Sequence, residues 1–292
     1  MAWLAGQAPL FFAAAFLLPP LSAIAGSADA QLQELLRKAA MISRDQAVVT
    51  FSGLITEENV RRLIEELDRA PTRELVIDSP GGVTGDGRDL GREVHRRGLT
   101  VRVEARCDSS CANYVFTAAA RRIIGPEGLV VWHGNSLQKD FRERRRCGRT
   151  HSSFTGAPFP GSSDEYARVR SMAVERDELA FFASIGIDDY IARAGQEPRF
   201  HGNFTMTVED MAKFGVRNVT APADYGTRDF CRVVNQRRGT DLHCIAVTDQ
   251  HVAYERARRE LGEACQVNGT LRIRTSTALN AHAATVPSRS DR

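Results

Sequence analysis

The feature that most constrains the fold of this chain is a strand that is apolar on both faces. The run Leu75-Val76-Ile77-Asp78 is too consistently apolar for a strand with one face in water. Such strands are typical of parallel sheets whose two faces are covered by helices. The run ends in Ser79-Pro80-Gly81-Gly82, a turn-forming sequence, so we expect the chain to leave the sheet abruptly there.

The segments around this strand alternate between strand and helix patterns. Further strands are predicted at residues 47–51, 100–105, 122–124 and 129–132. Helices are predicted from a cap at Thr56, over residues 86–97 before Gly98, and over residues 114–120. Strands separated by helices of this length indicate parallel β-α-β units, so the predicted fold class is α/β.

The rest of the chain gives weaker patterns. A short amphipathic helix is predicted over residues 31–40, and residues 135–163 read as an arginine-rich surface loop. A long helix is predicted at 164–184, a short one opened by Thr207 and Asp210, and a strand at 216–219. We therefore predict an α/β domain over 31–222. A small disulfide-stapled extension over 223–292 follows, with a helix near 254–264 and a frayed tail from Thr275.

The first thirty residues resemble a secretory signal peptide. An apolar run at residues 10–18 is followed by Pro19-Pro20 and by the small-residue triplets Ala23-Ile24-Ala25 and Ala28-Asp29-Ala30. The run is far shorter than the ~20 residues that a bilayer span needs, and both triplets have the form of a cleavage site. The sequence thus predicts cleavage after residue 25 or 30, a secreted or periplasmic location, and no stable membrane span in the mature protein.

Charge and cysteine content narrow the function classes. The formal charge of +3 becomes 39 − 35 = +4 without residues 1–30, and its even spread argues against nucleic-acid binding.

All six cysteines lie beyond the cleavage point, and an even number in an exported chain favours disulfides, with 15 possible pairings. Zinc is the rival interpretation, disfavoured by the absence of C-x-x-C pairs and of finger spacings to His. We predict neither a metal nor a cofactor.

Three polar features fall where predicted strands end: Ser79-Pro80-Gly81-Gly82, Asp108-Ser109-Ser110-Cys111 and His133. Ligand sites of parallel sheets lie at the carboxyl ends of the strands. Each feature also has an ordinary structural interpretation, as a tight turn, a helix N-cap and a structural histidine. A phosphate loop at residues 81–87 fits neither glycine-rich template.

Together these features supply the parts of a serine hydrolase. Such an enzyme needs an activated hydroxyl, a base, and donors aimed at the oxyanion. Ser110 is the candidate nucleophile and His133 the candidate base. The backbone N–H groups of Gly82 and Cys111 are the candidate oxyanion donors, because bare glycine lets the backbone approach a substrate closely.

These residues resemble the Clp protease proteolytic subunit and its exported relatives in the Clp/crotonase superfamily. The resemblance covers about residues 48–219 and rests on the Ser-Pro-Gly-Gly turn, the stretch from Ser110 to Ala119, and His133. It implies a stack of parallel β-β-α units and a peptide or protein substrate. It also implies assembly into homo-oligomeric rings or smaller oligomers.

The resemblance assigns the same roles to Ser110, His133, Gly82 and Cys111, with Ser109 as the rival nucleophile one residue away. The third member of the family's site, an aspartate, corresponds to Asn203, which orients an imidazole but stabilises its cation less.

Other acids, Asp188, Asp189 or Asp210, are the alternative third members. Cysteine after the nucleophile indicates the exported branch, in which a Cys107 to Cys111 bridge clamps the turn. The functional alternatives are an exported serine peptidase, an inactive binding or scaffold protein of the cell envelope, and, less favoured in an exported chain, a crotonase-like acyl-CoA enzyme.

Overall fold

The computed structural model describes residues 40–138, 165–196, 202–250, 252–253, 264–267 and 270–273. The predicted signal peptide, residues 31–39, most of the arginine-rich loop and the tail from Thr275 lie outside these ranges. The described residues form an α/β fold with a mostly parallel sheet flanked by helices, which confirms the predicted class.

The main sheet has the strand order β1-β2-β3-β4-β5-β8, with β6 paired to β4 beside this path. β1 is antiparallel to β2, and the other neighbours are parallel. Its strands are β1 Met41–Asp45, β2 Val48–Ser52, β3 Glu74–Ser79, β4 Thr100–Asp108, β5 Arg121–Ile124, β6 Val130–Val131 and β8 Val219–Thr220. Two further pairs are β7 Asn203–Thr205 with β9 Leu242–Cys244, and β10 Ala264–Val267 with β11 Thr270–Ile273.

The described helices are α1 Glu57–Arg69, α2 Thr84–Arg97, the π-helix Cys111–Phe116, α3 Glu165–Ile185, the 3-10 helix Asp189–Arg193, α4 Val208–Lys213 and α5 Arg228–Arg238. The predicted caps are confirmed. Thr56 accepts a hydrogen bond from the Asn59 N–H, and Gly98 ends α2 in the left-handed conformation with φ 63°. No helix within the described ranges is both long and apolar enough to cross a membrane.

A bulge in β4 determines where the candidate site lies. Ile77 pairs with Val103, but Ser79 pairs with Cys107, so β4 contains two residues more than β3 over this stretch. Before the bulge β4 pairs with β5, and after it β4 pairs with β6. The change of partner places the end of β6 next to the end of β4.

Several boundaries differ from the predicted ones. β1 and α5 are additional elements. The predicted strand at 216–219 is instead the two-residue β8. Of the predicted helix near 254–264, residues 254–263 lie outside the described ranges, and Ala264 begins β10.

Residues 223–244, predicted to open a separate extension, share a hydrophobic cluster with β6 and its flank. The members of that cluster are Leu129, Val131, Cys231, Val234 and Leu242. Cys231 and Cys244 form a disulfide that joins α5 to β9.

Candidate functional site

The glycine turn, residues 79–82, packs directly against the chain that follows β4. A Cβ added at Gly81 would lie 2.5 Å from the carbonyl oxygen of Asp108 and 2.7 Å from Cβ of Ser109. Gly81 also has φ 87°, and its N–H donates to Ser79 Oγ at 3.1 Å. Only glycine combines this backbone conformation with so close an approach.

Gly82 forms an isolated parallel β-bridge with Ile55, and the N–H of Gly82 points away from Ile55. The Ile55 N–H donates to the Gly81 carbonyl at 2.9 Å, and the Val83 N–H donates to the Ile55 carbonyl at 2.8 Å. In a parallel bridge of this kind, the peptide N–H of the central residue, here Gly82, faces the other side of its strand. That side is occupied by β4 and the turn that follows it, and Gly82 itself is exposed.

The serine turn, residues 107–111, has the shape expected of a strand-to-helix elbow. Ser109 has φ 58°, a left-handed conformation that is uncommon for a residue with a side chain. Its N–H donates to the Val131 carbonyl at 2.9 Å, and its carbonyl accepts the Asn113 N–H at 2.8 Å. The N–H groups of Ser110 and Cys111 precede that first helical bond and therefore have no partner within the helix.

The predicted bridge between Cys107 and Cys111 is confirmed. Their sulfurs are 1.96 Å apart, and their Cα atoms are 5.1 Å apart. Both residues are fully buried, so the disulfide closes the serine turn from its interior side.

The structure distinguishes the two serines of the turn by exposure. Ser110 is completely buried, and its hydroxyl has no hydrogen-bond partner. Helix α2 covers it, since a Cβ added at Gly87 would lie 3.0 Å from Cβ of Ser110. Ser109 is half-buried and remains partly open to solvent. Ser110, the predicted nucleophile, is thus the less accessible of the two candidate hydroxyls.

His133 is placed beside the serine turn by the pairing of β4 with β6. Asp108 pairs with Val131, so His133 lies two residues beyond a paired position on the neighbouring strand. The residue as a whole is exposed, yet its ring is partly covered, and this desolvation lowers the pKa of His133 below the ordinary 6.5. A base of that kind is neutral at pH 7 and able to accept a proton.

His133 and Asn203 flank the same isolated antiparallel bridge. Trp132 and Phe204 exchange two backbone hydrogen bonds of 2.9 and 2.8 Å, and His133 and Asn203 are the next residues on one side of this bridge. The pairing does not continue past them, since the Gly134 N–H donates to the Ala192 carbonyl. No side-chain hydrogen bond joins the two in the described part of the chain.

The alternative third members are engaged elsewhere. Asp188 caps the 3-10 helix by accepting the Tyr190 N–H at 3.0 Å, and Asp189 forms an ion pair with Arg193. Asp210 accepts from Lys213 Nζ at 2.7 Å. Of the four candidates, Asn203 is therefore the one that the backbone pairing brings to His133.

Two polar residues near the site, Asn113 and Asp108, were given no role in the sequence analysis. Asn113 Nδ2 donates to the Gly134 carbonyl at 3.0 Å, which fixes the residue after His133 to the π-helix. Asp108 Oδ1 is buried without a partner, and this burial raises the pKa of Asp108 to about 6. Single Asn and Asp residues in turns are common, so nothing in the sequence distinguished these two.

Comparisons with protein-family models and with curated proteins gave no match for this chain. Within the described ranges, no group of three or more His, Cys, Asp and Glu side chains is arranged to hold a metal ion. Any functional assignment therefore depends on the geometry of the serine turn, the glycine turn and His133.

Proposed function

We propose that this chain is an exported serine hydrolase of the Clp/crotonase type that cleaves peptide or protein substrates. The observation that carries the proposal is the meeting of three strand ends at the serine turn. The glycine turn at the end of β3 packs on the serine turn, and His133 follows β6, which pairs with the other side of β4. Two disulfides, Cys107–Cys111 and Cys231–Cys244, support the oxidising compartment that export implies. A secreted or periplasmic location is part of the proposal.

Ser109 is the nucleophile in this proposal, and Ser110 is a buried packing residue. Ser109 combines partial exposure with the left-handed backbone of an elbow, whereas Ser110 has no exposed surface. A strained conformation of about 1–3 kcal/mol persists only where surrounding structure enforces it. Here the disulfide and the glycine turn provide that constraint.

The proposed mechanism follows the order of proton and electron-pair transfers in acyl transfer. His133 takes the proton of the Ser109 hydroxyl, and the oxygen attacks the carbonyl carbon of the scissile bond. The resulting oxyanion accepts hydrogen bonds from the N–H of Gly82 and from the N–H groups without a helical partner at the start of the π-helix, those of Ser110 and Cys111. The intermediate then collapses, the scissile bond breaks, and the imidazolium of His133 donates its proton to the leaving amine. A water that gives its proton to His133 next attacks the acyl carbon, and the Ser109 oxygen leaves with that proton. Asn203 orients the imidazole throughout.

The second candidate function is a binding or scaffold protein that keeps the fold without catalysis. The observation that favours it is the lack of a hydrogen bond from Ser109 to His133, or from His133 to Asn203, in the described residues. An amide behind the imidazole also stabilises the imidazolium less than a carboxylate does.

A fluorophosphonate probe separates these alternatives. The wild-type protein, Ser109→Ala, Ser110→Ala and His133→Ala are purified, checked for equal thermal unfolding midpoints, and compared in labelling rate. We expect Ser109→Ala to abolish labelling and His133→Ala to reduce it by at least a hundredfold, as general-base removal does. Ser110→Ala should label within a few-fold of wild type.

If Ser110→Ala alone abolishes labelling, the nucleophile is Ser110 and the exposure argument is wrong. If the wild-type protein is not labelled, the hydrolase proposal fails and the binding function stands.

A further inference from the structure

Glu178 is a buried carboxylate that contacts two parts of the candidate site at once. It lies on α3 and has no exposed surface. Tyr114 donates its hydroxyl hydrogen bond to Glu178 Oε1 at 2.7 Å. The Ser136 N–H donates to Oε2 at 3.2 Å, and the Ser136 hydroxyl contacts the same oxygen.

The two donors belong to the two halves of the site. Tyr114 is on the π-helix that begins at the serine turn, one turn beyond Ser110. Ser136 is in the histidine segment, residues 133–137, three residues after His133. A single carboxylate therefore connects the helix of the serine turn to the segment that carries the base.

Keeping the Glu178 carboxylate ionised in this buried position costs free energy of desolvation. Burial raises the pKa of Glu178, against the hydrogen bonds from Ser136 and Tyr114 and the positive charges of Arg88 and Arg193. Arg88 is itself buried, with its guanidinium 5.5 Å from the Tyr114 ring centre. Apolar residues of similar volume often replace a buried charge of this kind without loss of stability. Stability alone therefore explains Glu178 poorly.

Hydrogen bonds to Gly134 also fix the backbone of the histidine segment. The Gly134 N–H donates to the Ala192 carbonyl at 2.9 Å, and its carbonyl accepts from Asn113. His133 itself is exposed, and the one contact recorded for its imidazole in the described residues is a hydrogen bond to its own backbone. The orientation of the imidazole thus depends on the backbone on either side of it: the bridge at Trp132 before it and the contacts of residues 134–136 after it.

We infer that Glu178 is a positioning residue that holds His133 against the serine turn through Tyr114 and Ser136. The inference rests on the proposed hydrolase function for its catalytic meaning, but the positioning itself is a structural property. Glu178 touches neither the nucleophile nor a substrate. It acts through the backbone of the histidine segment.

The test uses four variants of the full mature chain. Tyr114→Phe removes one donor and keeps the ring, whereas Glu178→Ala removes the carboxylate. Glu178→Gln keeps an oxygen for Ser136 and an N–H₂ for the Tyr114 oxygen, and serves as the conservative rescue. Ser184→Ala is the matched control, because that hydroxyl lies on the same helix and, among the described residues, bonds only to the Phe181 carbonyl.

Two readouts are measured. The His133 ring signal is followed by NMR in ¹³C-histidine protein and assigned with His133→Gln, together with the exchange rate of the Ser136 amide. The rate of fluorophosphonate labelling is measured alongside. Tyr114→Phe and Glu178→Ala should shift the His133 signal, speed Ser136 exchange about tenfold and slow labelling about tenfold. Glu178→Gln and Ser184→Ala should stay close to wild type.

An unchanged His133 signal in folded Tyr114→Phe and Glu178→Ala would overturn the positioning role. If Glu178→Ala does not fold, Tyr114→Phe alone decides, since it leaves the carboxylate in place. If wild-type protein is not labelled at all, the hydrolase proposal fails, and the NMR readout still decides whether Glu178 positions His133.

Discussion

Helix α2 reaches the π-helix through two glycines, and the substitution Gly91→Ala tests how much this contact contributes to stability. A Cβ added at Gly91 would lie 2.5 Å from the Tyr114 carbonyl oxygen and 2.9 Å from the Phe181 ring. The ring is able to shift, but the carbonyl belongs to the backbone of the π-helix. The new methyl group therefore forces the two helices apart.

The magnitude follows from two opposing effects. Inserting a methyl group into a packed core costs about 1–3 kcal/mol, and contact with backbone puts this site near the upper end. Alanine recovers about 1 kcal/mol of helix propensity relative to glycine. The net expectation for Gly91→Ala is a loss of about 2 kcal/mol, or a fall of about 4–8 °C in the unfolding midpoint for a chain of this size.

Gly85→Ala is the matched control. Gly85 lies on the same helix, and its φ is not left-handed. Apart from its chain neighbours and its own helix backbone, no atom of the described residues lies within 4 Å of an added Cβ. We expect it to be neutral or to stabilise by up to about 1 kcal/mol. Urea unfolding of both variants, followed by far-UV circular dichroism, measures the difference between them. Equal stability of Gly91→Ala and Gly85→Ala would refute the packing argument, because the two substitutions differ chiefly in what the methyl group meets.

Two further predictions concern the cysteines and Asp108. Replacing Cys107 and Cys111 by alanine should lower the free energy of unfolding by about 2 kcal/mol, and replacing Cys231 and Cys244 by about 3 kcal/mol. The second loss is larger because the Cys231–Cys244 bridge closes a longer loop in the unfolded chain. Urea unfolding measures both losses, and a larger loss for the Cys107–Cys111 pair would contradict the prediction. The raised pKa of Asp108 means that the folded state holds a proton the unfolded state has released, so wild-type stability should fall as pH rises from about 4 to about 6. Asp108→Asn should remove that decline, worth at most about 3 kcal/mol, and an unchanged pH profile would show that Asp108 is not its source.

Much of the parallel sheet could be predicted because its signals are local. The runs at β2, β3 and β4 are apolar or alternating, and Thr56 and Gly98 carry standard cap chemistry. α5 was not predicted, because only Cys231 and Val234 of its eleven residues are buried and its apolar face is correspondingly narrow. β1 was also not predicted, since its buried side is supplied mainly by one partly buried residue, Ile42.

For the candidate site, the sequence could predict which segments lie at the strand ends, but not which of their side chains are exposed. The strand-end rule correctly placed the serine turn, the glycine turn and His133 at neighbouring strand ends of the sheet. The exposure of Ser109 and the burial of Ser110 depend on how closely α2 packs, which is a long-range property. The same holds for Asn203, which an antiparallel bridge between Trp132 and Phe204 brings to His133 across seventy residues of sequence.

The bulge in β4 also limits how the length of this chain can change during evolution. Side chains along a strand alternate between faces with a period of two, so losing one residue between Val103 and Cys107 would turn Cys107 to the opposite face. Cys107 would then be unable to reach Cys111, and the serine turn would lose its clamp. Loss of two residues preserves the alternation. Insertions and deletions in this stretch should therefore survive selection in even numbers.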